Sequence, residues 1–135
     1  MKKAAAGLCA LALAVPALAV AHDKTFESTL TVEYAVGSAA KGGVGPTFIG
    51  GLVHSEKPGC IADRKVKLFA YFSEGTSKRG AEKVLIDTDR TSQNGAWAGY
   101  GDFTGSIGAQ ATVVKKDIGP RRHDHVCGAD TDGIG

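Results

Sequence analysis

The chain has 135 residues, 16 of them Lys or Arg and 14 Asp or Glu. That length suits one domain rather than two, and the charge balance is too even to mark a nucleic-acid binder. The 19 glycines and few aromatics predict a small, turn-rich core, while 43% hydrophobic residues argue against wholesale disorder.

The N-terminus reads as an export signal. Lys2 and Lys3 form a basic start, residues 4–21 carry no charge, and Ala19-Val20-Ala21 supplies the small residues a signal peptidase reads. Eighteen uncharged residues are just enough to span a bilayer, but Pro16 and the small-residue tail favour cleavage, after Ala21 or alternatively after Ala19. Cys9 follows Leu8 inside the apolar run, which does not suit lipid attachment. The expected organisation is a signal peptide over 1–21 and a single domain over 22–135, secreted to the extracellular space by a bacterial-type signal. Losing Lys2 and Lys3 leaves basic and acidic residues equal in number, so charge points to no partner. No later segment is long and apolar enough to span a membrane.

Beyond residue 22 the pattern is that of strands. From Phe26 to Val36 the residues Phe26, Ser28, Leu30, Val32, Tyr34 and Val36 alternate with Glu27, Thr29, Thr31 and Glu33. This predicts one strand with its apolar face buried. Residues 38–46 read as a loop. Phe48 to His54 is a second strand, in which Gly50-Gly51 marks a bulge or a close backbone approach. Glu56-Lys57-Pro58-Gly59 is a turn. Arg64 to Phe72 gives the cleanest alternation, with Val66, Leu68 and Ala70 on one face and Lys65, Lys67 and Phe69 on the other. Residues 73–80 form a polar loop, Lys83 to Thr88 a short strand, Asp89 to Gly95 a turn, and Trp97 opens the next strand. Gly99, Gly101, Gly105 and Gly108 break up the stretch ahead of a further strand over Ala109 to Lys116. Strands recurring every ten to twenty residues, separated by Gly, Pro and Asp, argue an all-β fold: one antiparallel β-sandwich.

The mature chain keeps two cysteines, Cys60 and Cys127. An even count in an exported protein of this size predicts one disulfide. It would close a loop of roughly 67 residues and stabilise by about 4 kcal/mol on the chain-entropy model.

A set of short motifs resembles the secreted transthyretin-like or carboxypeptidase-regulatory-like β-sandwich. They are Phe48, Gly50, Val53 and Ser55; Cys60 ahead of Arg64-Lys65-Val66-Lys67-Leu68; Asp87-Thr88-Asp89-Arg90-Thr91 followed by Gly95 and Trp97; and His125-Val126-Cys127-Gly128-Ala129-Asp130. The resemblance implies an Ig-like sandwich in which the aromatic after the turn glycine packs inward. It implies binding, adhesion or accessory roles more than any one function. Gly105-Ser106-Ile107-Gly108-Ala109 stands where such domains carry a tyrosine. With eight residues after Cys127, the last strand is expected to be very short or missing, leaving an open edge. The catalytic hydroxyisourate hydrolases of this group end in Tyr-Arg-Gly-Ser, whereas this chain ends Asp132-Gly133-Ile134-Gly135.

Candidate chemistry is sparse. Cleavage after Ala21 would place His22 at the N-terminus, where its amine and imidazole suit square-planar copper(II). His123 and His125 share a strand face two residues apart, and with His22 they are the candidate metal set; His54 is a further partner. Against this, a His-Asp-His run after Arg121-Arg122 is the ordinary make-up of a solvated turn. Asp130-Thr131-Asp132-Gly133 echoes the start of a calcium loop but lacks its later ligands, and Asp87 and Asp89 read as turn residues. Lys115-Lys116 and Arg121-Arg122 read as solvated charge rather than a polymer-binding patch. No Ser, His and Asp set has the spacing of a nucleophilic site, so no catalytic residue is assigned and no enzyme activity is expected. The sequence thus predicts a non-catalytic extracellular module with a binding or structural role and no required cofactor. Its partner would be a protein or a surface polymer, and its open edge would allow an edge-to-edge homodimer. The alternative is a small exported copper-binding protein using His22.

Overall fold

The computed structural model describes residues 23–36, 46–73, 82–120 and 124–134. The expected signal segment, His22, residues 37–45 and 74–81 (nearly all of the two expected loops), Arg121 to His123 and Gly135 lie outside the described residues. Among the described residues ten strands succeed one another: β1 (Lys24–Phe26), β2 (Thr29–Val36), β3 (Pro46–His54), β4 (Lys65–Phe72), β5 (Glu82–Arg90), β6 (Ala96–Asp102), β7 (Ser106–Val113), β8 (Lys116–Asp117), β9 (His125–Cys127) and β10 (Asp130–Ile134). A four-stranded antiparallel sheet, β10-β7-β4-β5, faces a three-stranded antiparallel sheet, β2-β3-β6. This is the expected all-β sandwich. A third small sheet, β1-β9-β8, sits beside it and contains a parallel pair, β1 with β9, which departs from the purely antiparallel expectation.

The core lies between the two large sheets. Val66, Leu68 and Ala70 of β4, Ala109, Ala111 and Val113 of β7, Ile49 and Val53 of β3, Leu30 and Trp97 form one buried cluster with Phe103. Period two places these side chains inward, and their burial supplies the main driving force. Trp97, two residues after the turn glycine Gly95, packs inward.

Several sequence expectations need correction. The predicted strand from Phe26 is two strands: β1 ends at Phe26 and β2 starts at Thr29. Within β2 a bulge lies between Val32 and Tyr34, because Val32 pairs with Gly51 and Tyr34 with Gly50. One extra residue reverses the alternation. Leu30 and Val32 face the core, then Ala35 does, while Tyr34 and Val36 turn outward. Gly99 and Gly101 do not interrupt β6. They lie under Leu68 and Ile86 of the facing sheet, where a Cβ would come within 2.6 Å and 2.1 Å of those side chains. Gly51 marks a close backbone approach, as anticipated: a Cβ there would stand 1.8 Å from the Thr31 carbonyl oxygen. The last strand is of ordinary length. β10 has five residues paired antiparallel with β7, from Asp130 opposite Val113 to Ile134 opposite Ala109.

Cys60 and Cys127 form the disulfide, with their Cα atoms 5.4 Å apart. It joins the 3-10 turn over Pro58–Cys60 to β9. Arg64 is packed beside it, fully buried. Arg64 continues the inward face that Val66, Leu68 and Ala70 establish.

Candidate functional site

Two surface features stand out: an aromatic sheet face, and a cleft that opens at the end of the same strand. The outward positions of β3 are Phe48, Gly50, Leu52 and His54, and those of β6 are Ala96, Ala98, Tyr100 and Asp102, by the alternation that buries Ile49, Val53 and Trp97. Register places Val36, Phe48 and Tyr100 in one row across the sheet and Tyr34, Gly50 and Ala98 in the next. Phe48 and Tyr100 meet ring to ring, with centroids 4.5 Å apart. The Tyr34 ring reaches across Gly50, where any Cβ would collide with its Cζ at 2.5 Å. The result is a flat apolar surface in which Tyr34 is 48% exposed, Val36 64%, Phe48 52% and Tyr100 49%. Single exposed apolar residues are ordinary, but four in adjacent rows form a patch. Asp102 at the end of the face has its carboxyl held below the usual carboxylate range by hydrogen bonds from the Thr104 hydroxyl and amide.

The cleft has a volume of about 870 Å3 and lies where β1 meets the end of β3. Phe26 is central to it, with the Lys24 ammonium 4.9 Å and the Lys57 ammonium 5.2 Å from its ring centroid. His54 and Asn94 line the side continuous with β3. Glu27 and Glu56 also line it, so its charges balance. Ser55 closes part of the wall by donating from its hydroxyl to the Glu27 carbonyl at 2.7 Å.

The histidines named as metal candidates are not assembled into a described site. His22 and His123 lie outside the described residues. His125 is half-buried in β9, its ring edge-on to Phe26 at 5.9 Å. Among the described residues no group of three or more His, Cys, Asp or Glu side chains converges as a metal cage. The two acidic pairs considered for calcium have another use. Asp130 and Asp132 accept hydrogen bonds from the amides of Leu30 and Val32, both at 2.8 Å. Asp89 and Asp87 accept from the amides of Ala98 and Tyr100, at 2.8 and 2.9 Å. Comparison of the chain with protein-family models, with curated proteins and with solved structures finds no match.

The aromatic face escaped sequence reasoning for one reason. Strict alternation puts Tyr34 and Val36 on the buried side of their strand, and the bulge that re-aims them becomes visible only once β2 and β3 are paired. A partial signal was present: Phe48 and Tyr100 each neighbour a residue of the opposite face, Ile49 and Gly99.

Proposed function

We propose that this protein is an exported, non-catalytic binding module that meets its partner with the outer face of the β2-β3-β6 sheet. The observation that carries this reading is the exposed patch of Tyr34, Val36, Phe48 and Tyr100. Burying apolar area in these rings would have been straightforward for a sheet of this period, yet the bulge in β2 turns one of them out. Bulges of this kind re-aim side chains at functional surfaces. The Cys60–Cys127 disulfide suits an oxidising compartment, and no helix among the described residues is long and apolar enough to cross a membrane. The transthyretin-like resemblance, with its binding and accessory roles, points the same way.

Hydroxyl-radical footprinting tests the reading whatever the partner is. Tyr34, Phe48 and Tyr100 should label strongly in the purified protein. In the intact culture, where the partner is present, they should be protected, while exposed Leu85 and Ile107 on the rest of the sandwich label equally in both. Equal labelling of the three rings in both settings would sink the proposal.

A further inference from the structure

We propose that the outer face of the four-stranded sheet binds an acidic polysaccharide, its carboxylates on a strip of cations along β4 and β5 and its hydroxyls on a neutral polar strip along β7 and β10. This is a second face, separate from the aromatic one, and it arises from how the sheet sorts its charges.

Residues paired across antiparallel strands share a face. Lys65 pairs with Arg90, Lys67 with Thr88 and Tyr71 with Lys83. All of them point outward, because Val66, Leu68 and Ala70 between them are core. The carboxylates take the other side. Asp87 and Asp89 stand opposite Leu68 and Val66, and Glu82 stands opposite Phe72. Asp130 and Asp132 of β10 stand opposite Val113 and Ala111. Within these four strands every lysine and arginine faces out and every carboxylate faces the other way. A chain with a formal net charge of only +2 therefore presents a sheet face of one sign.

The nearest exception is Asp63, in the turn ahead of β4. Its carboxylate lies 2.9 Å from Arg90 and 3.7 Å from Lys116, one anion between two cations. Among the described residues no carboxylate comes within ion-pair reach of Lys65 or Lys67. Lys65 and Arg90 are like charges directly opposite, an arrangement that destabilises the free sheet. A bound anion relieves that repulsion.

Beside the cations, the outward positions of β7 and β10 hold Gln110, Thr112 and Thr131 and no charge. The Thr112 and Thr131 hydroxyls lie 3.1 Å apart. Gln110 Oε1 accepts from the Tyr71 hydroxyl at 2.7 Å and from Lys83 Nζ at 2.8 Å, which leaves its NH2 group to donate to a ligand. From Lys65 to Tyr71 the strip runs six residue steps, roughly 20 Å at about 3.3 Å each. A polyuronate carries the complement of both strips, a carboxylate and several hydroxyls on every sugar of an extended chain. A single-stranded nucleic acid needs bare rings for its bases, and here Lys83 Nζ stands 4.2 Å and 5.8 Å from the ring centroids of Phe69 and Tyr71. An anionic bilayer is gripped by apolar side chains buried beneath the charges. In the rows of Phe69 and Tyr71 only Leu85 is a large apolar residue left half exposed.

The test uses the exported protein with polygalacturonate and alginate as probes and dextran as the uncharged control, in affinity electrophoresis and titration calorimetry. At least one acidic polymer should retard the protein and raise its melting temperature, and dextran should do neither. Binding should vanish at about 1 M salt, where the Debye length falls to about 3 Å. Lys65→Gln combined with Lys67→Gln should weaken binding about tenfold and flatten its salt dependence, with unchanged far-ultraviolet circular dichroism. Lys65→Arg combined with Lys67→Arg should bind as wild type does. The proposal is overturned if neither acidic polymer binds, if dextran binds as well, or if the double glutamine variant binds undiminished. Tighter binding to poly(dT) or to phosphatidylglycerol vesicles than to either acidic polymer also overturns it and reassigns the face to nucleic acid or to a bilayer. Leu85 should be shielded from hydroxyl radicals by the polymer at low salt and labelled again at about 1 M salt. Footprinting of Tyr34, Phe48 and Tyr100 at that salt keeps Leu85 as its reference, so failure of either face leaves the other standing.

Discussion

Arg64 sits at the head of β4 on its inner face, fully buried, and its neighbours explain how a cation survives there. Nη1 donates to the Cys60 carbonyl at 2.7 Å and the Ser28 hydroxyl at 2.8 Å. Nη2 donates to the carbonyls of Gly128 at 2.7 Å and Val114 at 2.9 Å. None of these acceptors is charged, and burial lowers the guanidinium pKa from its ordinary value. The planar fork of arginine lets one side chain bind four acceptors from four segments, which an ammonium cannot do. Arg64→Ala would leave one buried and two partly buried carbonyls without this partner and should destabilise by about 3 kcal/mol. Arg64→Lys should fall between that variant and wild type. Urea unfolding of the three proteins checks the order; an alanine variant as stable as wild type would show that the network contributes nothing net. This residue was half legible. Period two through Val66, Leu68 and Ala70 points Arg64 inward, but its charge argues for the surface, and only the convergence of Cys60, Val114 and Gly128 resolves the conflict.

At the scale of the element, the edge strands of the two large sheets are joined by carboxylates. Asp130 and Asp132 stand opposite Val113 and Ala111, which are core residues, so both point inward from edge strand β10. They take the amides of Leu30 and Val32 on β2, the edge of the facing sheet. On the other side Asp87 and Asp89 stand opposite Leu68 and Val66 on β5 and take the amides of Tyr100 and Ala98 on β6. The amides of edge strands β2 and β6 are thus occupied at two residues each by inward-pointing carboxylates of β10 and β5, a known way for sheets to avoid edge-to-edge association. The β10–β2 bonds are partly buried and the β5–β6 bonds exposed. Replacing both aspartates of a seam with alanine should therefore cost about 2–4 kcal/mol for Asp130 and Asp132, and less for Asp87 and Asp89, where water substitutes. Hydrogen exchange should quicken at Leu30 and Val32 in the first variant and at Ala98 and Tyr100 in the second. The freed edges should also self-associate with rising concentration in sedimentation velocity, which wild type should resist. Equal stability loss at both seams would contradict the burial argument. Sequence alone shows aspartates two apart, a spacing shared by turns and calcium loops; which amide they face depends on how the two sheets are laid together.

For the whole molecule, the disulfide and the small third sheet hold β1, β8 and β9 to the sandwich. Phe26 pairs in register with Cys127, and the Gly128 amide donates to the Phe26 carbonyl at 2.8 Å. Cys60 ties that point to the turn before β4 across 67 residues. Replacing both cysteines with alanine should lower stability by about 4 kcal/mol and the melting temperature by more than about 10 °C. The loss should centre on β1, β8 and β9 in hydrogen exchange, since these strands have two or three residues each. A variant with wild-type melting behaviour would show that packing alone holds this corner.

Class of fold and covalent staple were both written in the residue order. Alternation with period two is a local property of each strand, and Cys60 and Cys127, the two cysteines beyond the apolar N-terminal run, have one way to pair with each other. The inward faces of β4 and β7 were readable for the same reason. Other features arise only where two strands or two sheets meet. The bulge opposite Gly50 and Gly51 reverses the end of β2 and adds Tyr34 and Val36 to the face that Phe48 and Tyr100 begin. The parallel pairing of β1 with β9 joins segments about a hundred residues apart. The aspartate seams and the acceptors of Arg64 come from different elements brought within hydrogen-bond reach. Local propensity determines none of these, because register between strands is set by the packing of the whole sandwich.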